Sequence, residues 1–346
     1  MAPELAGKSA MDFTELVDLA SERLGGAVVY ANDDFFAPKG NLLKAAAPIF
    51  IEGKYTDRGK WMDGWETRRR RTPGFDWCIV RLGLAGILRG IVVDTAYFKG
   101  NSPEYCMLEA CEAEAGAASE QLERAETQWI EVLPKSALKG DSQNEFVIRS
   151  QQQQRFTHLR FKIFPDGGVA RLRAYGEVVP DWEALRRESE IDLAAVQNGG
   201  LVLAASDMFF GSPYNLIMPG RAADMSDGWE TRRRRGPGFD WAILKLGAAG
   251  TIHRIEVDTA HFKGNFPESC SLDACYAPGA GNHAQALALE KWSEVLPRTK
   301  LGADQRHLFE KELRQAGEAT HARFNIYPDG GASRLRILGR LSRSGS

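Results

Sequence analysis

The sequence predicts an all-β protein made of two tandem sandwich domains, and three observations lead there. The chain repeats itself, with residues 63–101 and 227–265 identical at 28 of 39 positions without a gap. The repeated blocks are short apolar runs with period-two alternation, bounded by Gly, Pro and Asp, which is the pattern of half-buried strands. Its 346 residues suit two domains of about 100 to 200 residues each better than one.

From the N-terminus, apolar residues at three- and four-residue intervals predict a short helix over Phe13 to Leu24 ahead of the first copy. The same interval predicts one over Trp182 to Val196 ahead of the second. Ile79 to Leu82, Ile87 to Thr95, Arg160 to Phe164 and Arg171 to Tyr175 read as strands. Ala118 to Ile130 and Ala284 to Trp292 add a helical turn or two. Pro165-Asp166-Gly167-Gly168 lies between two strand-like runs and reads as a hairpin turn, its glycines accepting the positive φ that a tight turn requires. Asp166 and Asp329 are then turn formers.

The arginine-rich block from Asp63-Gly64-Trp65-Glu66-Thr67 to Arg71 returns as Asp227-Gly228-Trp229-Glu230-Thr231 to Arg235. Pro73-Gly74-Phe75-Asp76-Trp77 returns from Pro237 to Trp241, and Phe98-Lys99-Gly100-Asn101 from Phe262 to Asn265. Weaker echoes pair Asn41-Leu42 with Asn215-Leu216, Trp129 with Trp292, and Pro165 to Gly168 with Pro328 to Gly331. Each copy is therefore a whole domain. The predicted units are residues 12–178 and 179–340, followed by a tail, 341–346. The main length difference, ten extra residues between Leu43 and Asp63 in the first copy, reads as a surface loop.

Composition narrows the function. A chain that is 43% hydrophobic and 26% charged, with a formal charge of −2, has the profile of a soluble globular protein. No stretch approaches the ~18 apolar residues of a membrane span, and Met1 to Ser9 carries Glu4 and Lys8 without an apolar run behind them. A cytoplasmic protein is expected. Five cysteines with no CxxC spacing suggest reduced thiols rather than disulfides or a zinc knuckle. The near-neutral charge argues against a nucleic-acid surface. Metal-binding signatures such as HxH, HExxH or a calcium loop are absent from the sequence, so neither a metal nor another cofactor is expected.

The order of motifs in each copy is more specific than its composition. An early Asp-Phe-Phe and Asn-Leu, then Asp-Gly-Trp-Glu-Thr, then Asp-Trp before a Leu-Gly run, resembles the opening of a galactose-binding-like, discoidin-type jelly roll. That resemblance places the Asp-Gly turn at the ligand end and the Leu-Gly run in a central strand. The full set is closer still. Asp-Gly-Trp-Glu-Thr-Arg-Arg-Arg-Arg, Pro-Gly-x-Asp-Trp, Val-Asp-Thr-Ala-x-Phe-Lys-Gly-Asn and Pro-Asp-Gly-Gly-x-x-Arg-Leu-Arg, each present twice, resemble the allantoicase family over roughly residues 12 to 340. The resemblance implies two tandem jelly rolls, assembly into a homo-oligomer, and conversion of allantoate and water to (S)-ureidoglycolate and urea.

Allantoate is a small anion whose central carbon bears a carboxylate and two ureido groups. Its site needs a cation, groups that hydrogen-bond ureido C=O and N–H, an acid for the departing urea and a base for water. The repeated residues supply these. Glu66 and Glu230 precede the arginines and serve either as ion-pair partners that hold the cluster together or as acid and base. Asp94 and Asp258 end the most hydrophobic strand of each copy, where a buried carboxylate needs a partner; Lys99 and Lys263, five residues on, are close enough to be one. Lys99-Gly100-Asn101 and Lys263-Gly264-Asn265 offer a cation and an amide beside a glycine and are candidates for ureido or carboxylate contact.

In an extended segment Arg68 and Arg70 face one way and Arg69 and Arg71 the other. One or two per copy, Arg69 and Arg233 in this reading, bind the anion while the rest pair with acids such as Glu66 and Asp76. His158 and His321 are the only histidines that the copies share, and imidazole exchanges a proton near neutral pH. A structural role for them is equally open. The candidate catalytic set is thus Glu66, Asp94 and His158 with Glu230, Asp258 and His321; Arg69, Lys99 and Asn101 with Arg233, Lys263 and Asn265 are candidates for substrate binding. A non-catalytic jelly roll that binds a sugar or another small polar ligand is the competing class. A nucleic-acid binder built on the arginine runs fits the acidic balance poorly.

Overall fold

The structure is a computed structural model that describes residues 12–114, 116–124, 127–149 and 153–342. The stretch from Met1 to Ser9 and most of the 341–346 tail lie outside these. The chain divides into two compact units, the first ending at Val179 and the second beginning at Pro180. No helix among the described residues is long and apolar enough to cross a membrane.

The first unit contains, in chain order, β1 Val17–Asp18, β2 Ala27–Ala31, β3 Tyr55–Thr56, β4 Gly59–Lys60, β5 Trp65–Glu66, β6 Asp76–Asp94, β7 Tyr105–Cys111, α1 Ser119–Leu122, β8 Ile130–Ala137, β9 Gln143–Val147, β10 Phe156–Phe164, β11 Gly168–Val169 and β12 Arg171–Val178. The second repeats the plan with α2 Trp182–Leu185, β13 Ile191–Asp192, β14 Leu201–Ala205, β15 Trp229–Glu230, β16 Asp240–Asp258, β17 Ser269–Cys275, α3 His283–Leu287, β18 Ser293–Lys300, β19 Arg306–Phe309, β20 Glu318–Tyr327, β21 Gly331–Ala332 and β22 Arg334–Leu341. Each unit is the expected all-β sandwich. The ten-residue extension between Leu43 and Asp63 carries the β3–β4 hairpin, which the second unit lacks.

Strand β6 is one 19-residue strand where two were expected, and it belongs to both layers. Its first part, Asp76 to Arg81, pairs with β2 and with β10, and β7 and β8 continue that layer. Its last part, ending at Asp94, pairs with β12 and β9, and β1 extends that layer. Val80, Leu108, Leu159 and Phe161 from one layer meet Leu88, Ile91, Val93 and Leu172 from the other in a single buried core. Alternate residues of each strand supply it, as the period-two pattern requires.

Two expectations are corrected by this topology. Residues Pro165 to Gly168 do not close a hairpin, because β10 and β12 lie against opposite halves of β6 and the turn carries the chain from one layer to the other. Gly168 and Val169 pair instead with Glu66 and Trp65. The helical lead-ins are also absent as continuous helices. Residues 13–24 form two single 3-10 turns around β1, and residues 182–198 form α2, β13 and one 3-10 turn. An aspartate side chain explains the break: Asp18 accepts the N–H groups of Ala20 and Ala174, which ties the lead-in to β12. Asp192 does the same with Ala194 and Ile337 of β22.

The three repeated blocks meet at Phe98. Its buried ring lies under Gly64 and Gly168, so closely that a Cβ on Gly168 would fall 1.9 Å from the ring. Thr67 N–H donates to the Gly167 carbonyl, Gly167 N–H donates to the Thr67 hydroxyl, and Gly168 N–H donates to the Asn101 carbonyl. The second unit reproduces the arrangement around Phe262, with Gly228 and Gly331 against it. Behind it, Arg171 is buried and donates to Asp63 Oδ2 at 2.6 Å and to the carbonyls of Asp63, Ala46 and Ala170.

Burial raises the Asp63 carboxyl, but the bonds from Arg171, Lys44 and the Ile49 N–H outweigh it and hold the group below its ordinary range. Replacing Arg171 by Met leaves that carboxylate buried without its main partner. We expect a loss of about 3–5 kcal/mol in urea unfolding of the first unit, largely recovered in the double variant Arg171→Met, Asp63→Asn. Asp192 behaves in the opposite sense, since burial pushes its carboxyl up to about 6 against the pull of Arg336 and its N–H donors. The folded state then holds this proton more tightly than the unfolded chain. Its contribution to stability is full below about pH 4 and is lost as pH rises through about 6. Unfolding measured across that window should show a decline that Asp192→Asn removes.

Candidate functional site

One end of each sandwich gathers the repeated polar residues. The extended segment after β5, the loop between β6 and β7, and the turn between β10 and β11 all converge there through the Phe98 packing. Glu66, half-buried in β5, lies beside Asn101, whose amide donates to Glu66 Oε1 at 2.7 Å. Burial raises the Glu66 carboxyl, and the Asn101 bond opposes this only in part. The second unit places Glu230 and Asn265 in the same relation at 2.5 Å, with Asn265 also donating to Met225 Sδ at 3.4 Å.

The arginine runs divide as alternation predicts. Arg68 binds Asp33 at 2.6 Å and Arg70 binds Asp76 at 2.7 Å. Arg69 and Arg71 are exposed and make no ion pair among the described residues. Arg232 pairs with Asp207, Arg234 with Asp240, and Arg233 and Arg235 are exposed. Asp76 is therefore an arginine partner as expected, whereas Glu66 is not; Asp33 and Asp207, each two residues ahead of a Phe-Phe pair, take that place. A cleft of about 310 Å³ opens beside the run, lined by Asn32, Asp33, Arg68 to Arg70, Thr72 and Asp76. Turn residue Asp166 accepts the Arg70 N–H at 2.8 Å, and Asp329 the Arg234 N–H at 2.7 Å.

The expected partnership of Asp94 with Lys99 is not formed. Asp94 Oδ1 accepts the Ala96 N–H at 2.8 Å and Oδ2 lies 3.5 Å from the Gln143 amide, so its carboxylate locks the turn that follows β6. Asp258 holds the Ala260 N–H in the same way. Lys99 projects into solvent, 80% exposed, with Asp141 at 3.7 Å. Lys263 is exposed as well. Asp141 was not singled out from sequence, although Asp141 and Asp304 each stand three residues after a Leu in corresponding loops. Each accepts an N–H at 2.7 Å, from Tyr97 and His261 respectively.

The histidines lie apart from this group. His158 is fully buried on β10, with Nδ1 at 2.9 Å from the Thr157 hydroxyl and Nε2 without a partner among the described residues. Its neighbours across the sheet are Arg81 and Cys111. Six residues of extended chain separate it from Phe164, roughly 20 Å from the turn that touches Glu66. Burial pushes the His158 imidazole down to about 4, with Arg81 adding to the effect. His321 is buried likewise, bonded to Thr320 and to the Ala280 carbonyl, and its burial also lowers it.

Residues 17–179 and 191–342 each match the family described as "Allantoicase repeat". The chain is 46% identical over 344 residues to "Probable allantoicase 1" of Burkholderia mallei (strain ATCC 23344), covering 99% of this chain and 100% of that one. It is 48% identical over 328 residues to "Probable allantoicase" of Pseudomonas aeruginosa (strain UCBPP-PA14), covering 94% and 96%. Among solved structures it is similar to the crystal structure of allantoicase from Saccharomyces cerevisiae, at 38% identity and a TM-score of 0.79, covering 93% of this chain and 92% of that one.

Loss of a general acid or base costs roughly 10²-fold or more in turnover. The distance of His158 from Glu66 predicts no such loss for His158→Gln, whose pH–rate profile should overlay that of the parent. The effect should fall on stability instead. The folded state resists protonating this imidazole, so stability is lost as pH falls from about 6.5 toward the folded value of about 4. Unfolding free energies at pH 4.5 and 7.5 would reveal that slope in the parent and its absence in the variant.

Proposed function

The chain belongs to the allantoicase family, and from that premise we propose that Glu66, with Glu230 in the second repeat, is the proton-transfer group of its reaction. The enzyme is a hydrolase that converts allantoate and water to (S)-ureidoglycolate and urea, in the use of purine nitrogen from allantoin. The reaction breaks one C–N bond at the central aminal carbon. The departing ureido nitrogen must gain a proton, and the attacking water must lose one.

The observation that carries the proposal is the Glu66–Asn101 bond and its copy at Glu230–Asn265. A carboxyl raised by burial and held by a neutral amide, with no arginine on it, can be protonated when substrate arrives. In our reading Glu66 donates its proton to the leaving nitrogen while the remaining ureido nitrogen supports the electron-poor carbon. The resulting carboxylate then takes a proton from water as its oxygen bonds to that carbon, which returns Glu66 to its starting state. Lys99, 80% exposed with only a loose contact to Asp141 at 3.7 Å, and the exposed Arg69, with Lys263 and Arg233 in the second repeat, are assigned to the substrate carboxylate. Asn101 and Asn265 orient the acid and reach ureido oxygen. Asp94 and Asp258 shape the loop, and His158 and His321 support the sheet.

Five unpaired, buried cysteines favour the cytoplasmic setting. We retain a homo-oligomeric state on the family resemblance and exclude a nucleic-acid partner on the charge of −2. We also keep a cofactor-free reaction as the expectation from the sequence, which has no HxH, HExxH or calcium-loop spacing.

The test is urea release from allantoate by metal-stripped enzyme. The double variant Glu66→Gln, Glu230→Gln should lower kcat by about 10²- to 10⁴-fold with little change in KM, and Glu66→Gln alone should match it where the first repeat carries the turnover. The parallel Glu230→Gln variant tells whether the second repeat turns over independently. Unimpaired urea release by both single variants and by the double variant would remove Glu66 and Glu230 from the chemistry, and recovery by added metal would overturn the cofactor-free reading.

A further inference from the structure

The loop that carries Lys99 and Asn101 holds a strained residue. Tyr97 has φ 68°, in the left-handed region that side chains other than glycine rarely adopt, and the second repeat has His261 at φ 71° in the same place. Such strain persists only where the surroundings enforce it, and it collects at functional sites. Here the enforcement is visible. Asp94 caps the Ala96 N–H, Asp141 binds the Tyr97 N–H at 2.7 Å, and the buried Phe98 fixes the next residue inward. A glycine would take this conformation freely. Both repeats carry a ring there instead, and in each the backbone is bent so that the ring stands outside the core.

In the first repeat the ring has company. Phe50, from the ten-residue extension that the second repeat lacks, stacks on Tyr97 with centroids 5.7 Å apart and planes at 27°. The two rings are 38% and 42% exposed, so the pair is a standing aromatic surface and not part of the core. Lys60 lies over Phe50 at 4.5 Å. Asp141 joins this surface to the reacting end, since its other oxygen faces Lys99, and Asn101 two residues further on binds Glu66. Tyr97, Lys99 and Asn101 thus follow one another along one loop, with Phe50 of the extension against the first and Glu66 of β5 against the last. In the second repeat the His261 ring is tied to the Ala222 carbonyl at 3.0 Å and no extension reaches it.

Allantoate has two flat ureido arms and needs to lose only one. We infer that Tyr97, backed by Phe50, is a specificity-determining residue that holds the arm that stays, its ring facing the ureido plane, while Glu66 and Asn101 take the arm that leaves. This rests on the assignment of Glu66 above. A planar amide with polar N–H edges packs well on an aromatic face, and a surface of this kind selects for a substrate with a second arm.

The experiment uses full-length enzyme and two ligands: allantoate as substrate, and N-carbamoylglycine, with its carboxylate and a single ureido arm, as competitive inhibitor. Tyr97→Gly relieves the strain and should fold as the parent does, checked by its melting temperature; Tyr97→Asn, also tolerant of this φ, is the second variant. We expect KM for allantoate to rise roughly three- to tenfold with kcat nearly unchanged, the inhibition constant of N-carbamoylglycine to stay put, and Tyr97→Phe to restore KM. Phe50→Ala should shift KM the same way, and His261→Gly should not. An unchanged KM in folded Tyr97 variants, an equal weakening of both ligands, or a KM effect from His261→Gly alone would overturn the inference. Glu66→Gln run alongside keeps the two readings apart, because failure of the acid assignment shows in kcat of that variant and failure of this one in KM of the Tyr97 variants.

Discussion

The ligand end of each repeat depends on one packing constraint, the wedging of a buried phenylalanine between two glycines. Phe98 lies against Gly64 and Gly168, and Phe262 against Gly228 and Gly331, at distances that no side chain beyond hydrogen could share. These residues belong to three blocks that recur in both copies: Asp-Gly-Trp-Glu-Thr, Phe-Lys-Gly-Asn and Pro-Asp-Gly-Gly. Each block carries its polar group a fixed distance from the ring contact. Glu66 is two residues from Gly64, Asn101 is three from Phe98, and Asp166 is two from Gly168. Docking glycine onto phenylalanine therefore sets acid, amide and turn in one place without direct pairing among all of them.

Much of this was legible in the sequence, and the parts that were not share a physical cause. Duplication marked the units, and alternation marked the strands and divided the arginines correctly. Local pattern does not report which strand a turn leads to, so Pro165 to Gly168 looked like a hairpin although β6 lies between the strands it joins. The lead-in segments carry helical spacing, but Asp18 and Asp192 bind backbone N–H groups and pull them onto the last strand, a tertiary effect that periodicity does not contain. At the site, the Glu66–Asn101 pair spans 35 positions and arises only from the ring contact. Proximity along the chain suggested Asp94 with Lys99, yet a nearby backbone N–H satisfied the aspartate first. His158 and His321 recur for a structural reason, each bonded to the threonine before it inside the sheet.

The repeats have kept the same acid and amide while diverging around them. In the first, the extension brings Phe50, Lys60 and the β3–β4 hairpin over the loop. In the second the Ala222 carbonyl meets the His261 ring, Phe209 and Phe210 are exposed, and Met225 shares the amide of Asn265. A difference confined to the walls of the site, with its acid retained, changes what can be held more than what can be done to it.

The arginine runs gain their meaning from the acids they are given. Four arginines follow Glu66 after a single threonine, and an ion pair with any of them would lower its carboxyl, as Arg171 and Lys44 do for Asp63. Asp33 and Asp76 prevent this by binding Arg68 and Arg70. Arg69 and Arg71, which make no ion pair among the described residues, are turned to solvent. Glu66 is left with partial burial, which raises its carboxyl, and with an Asn101 amide that opposes the rise only in part. A run of arginines and a carboxyl raised by burial beside it are opposing electrostatic demands, and the aspartates that bind Arg68 and Arg70 are what let one short segment hold both.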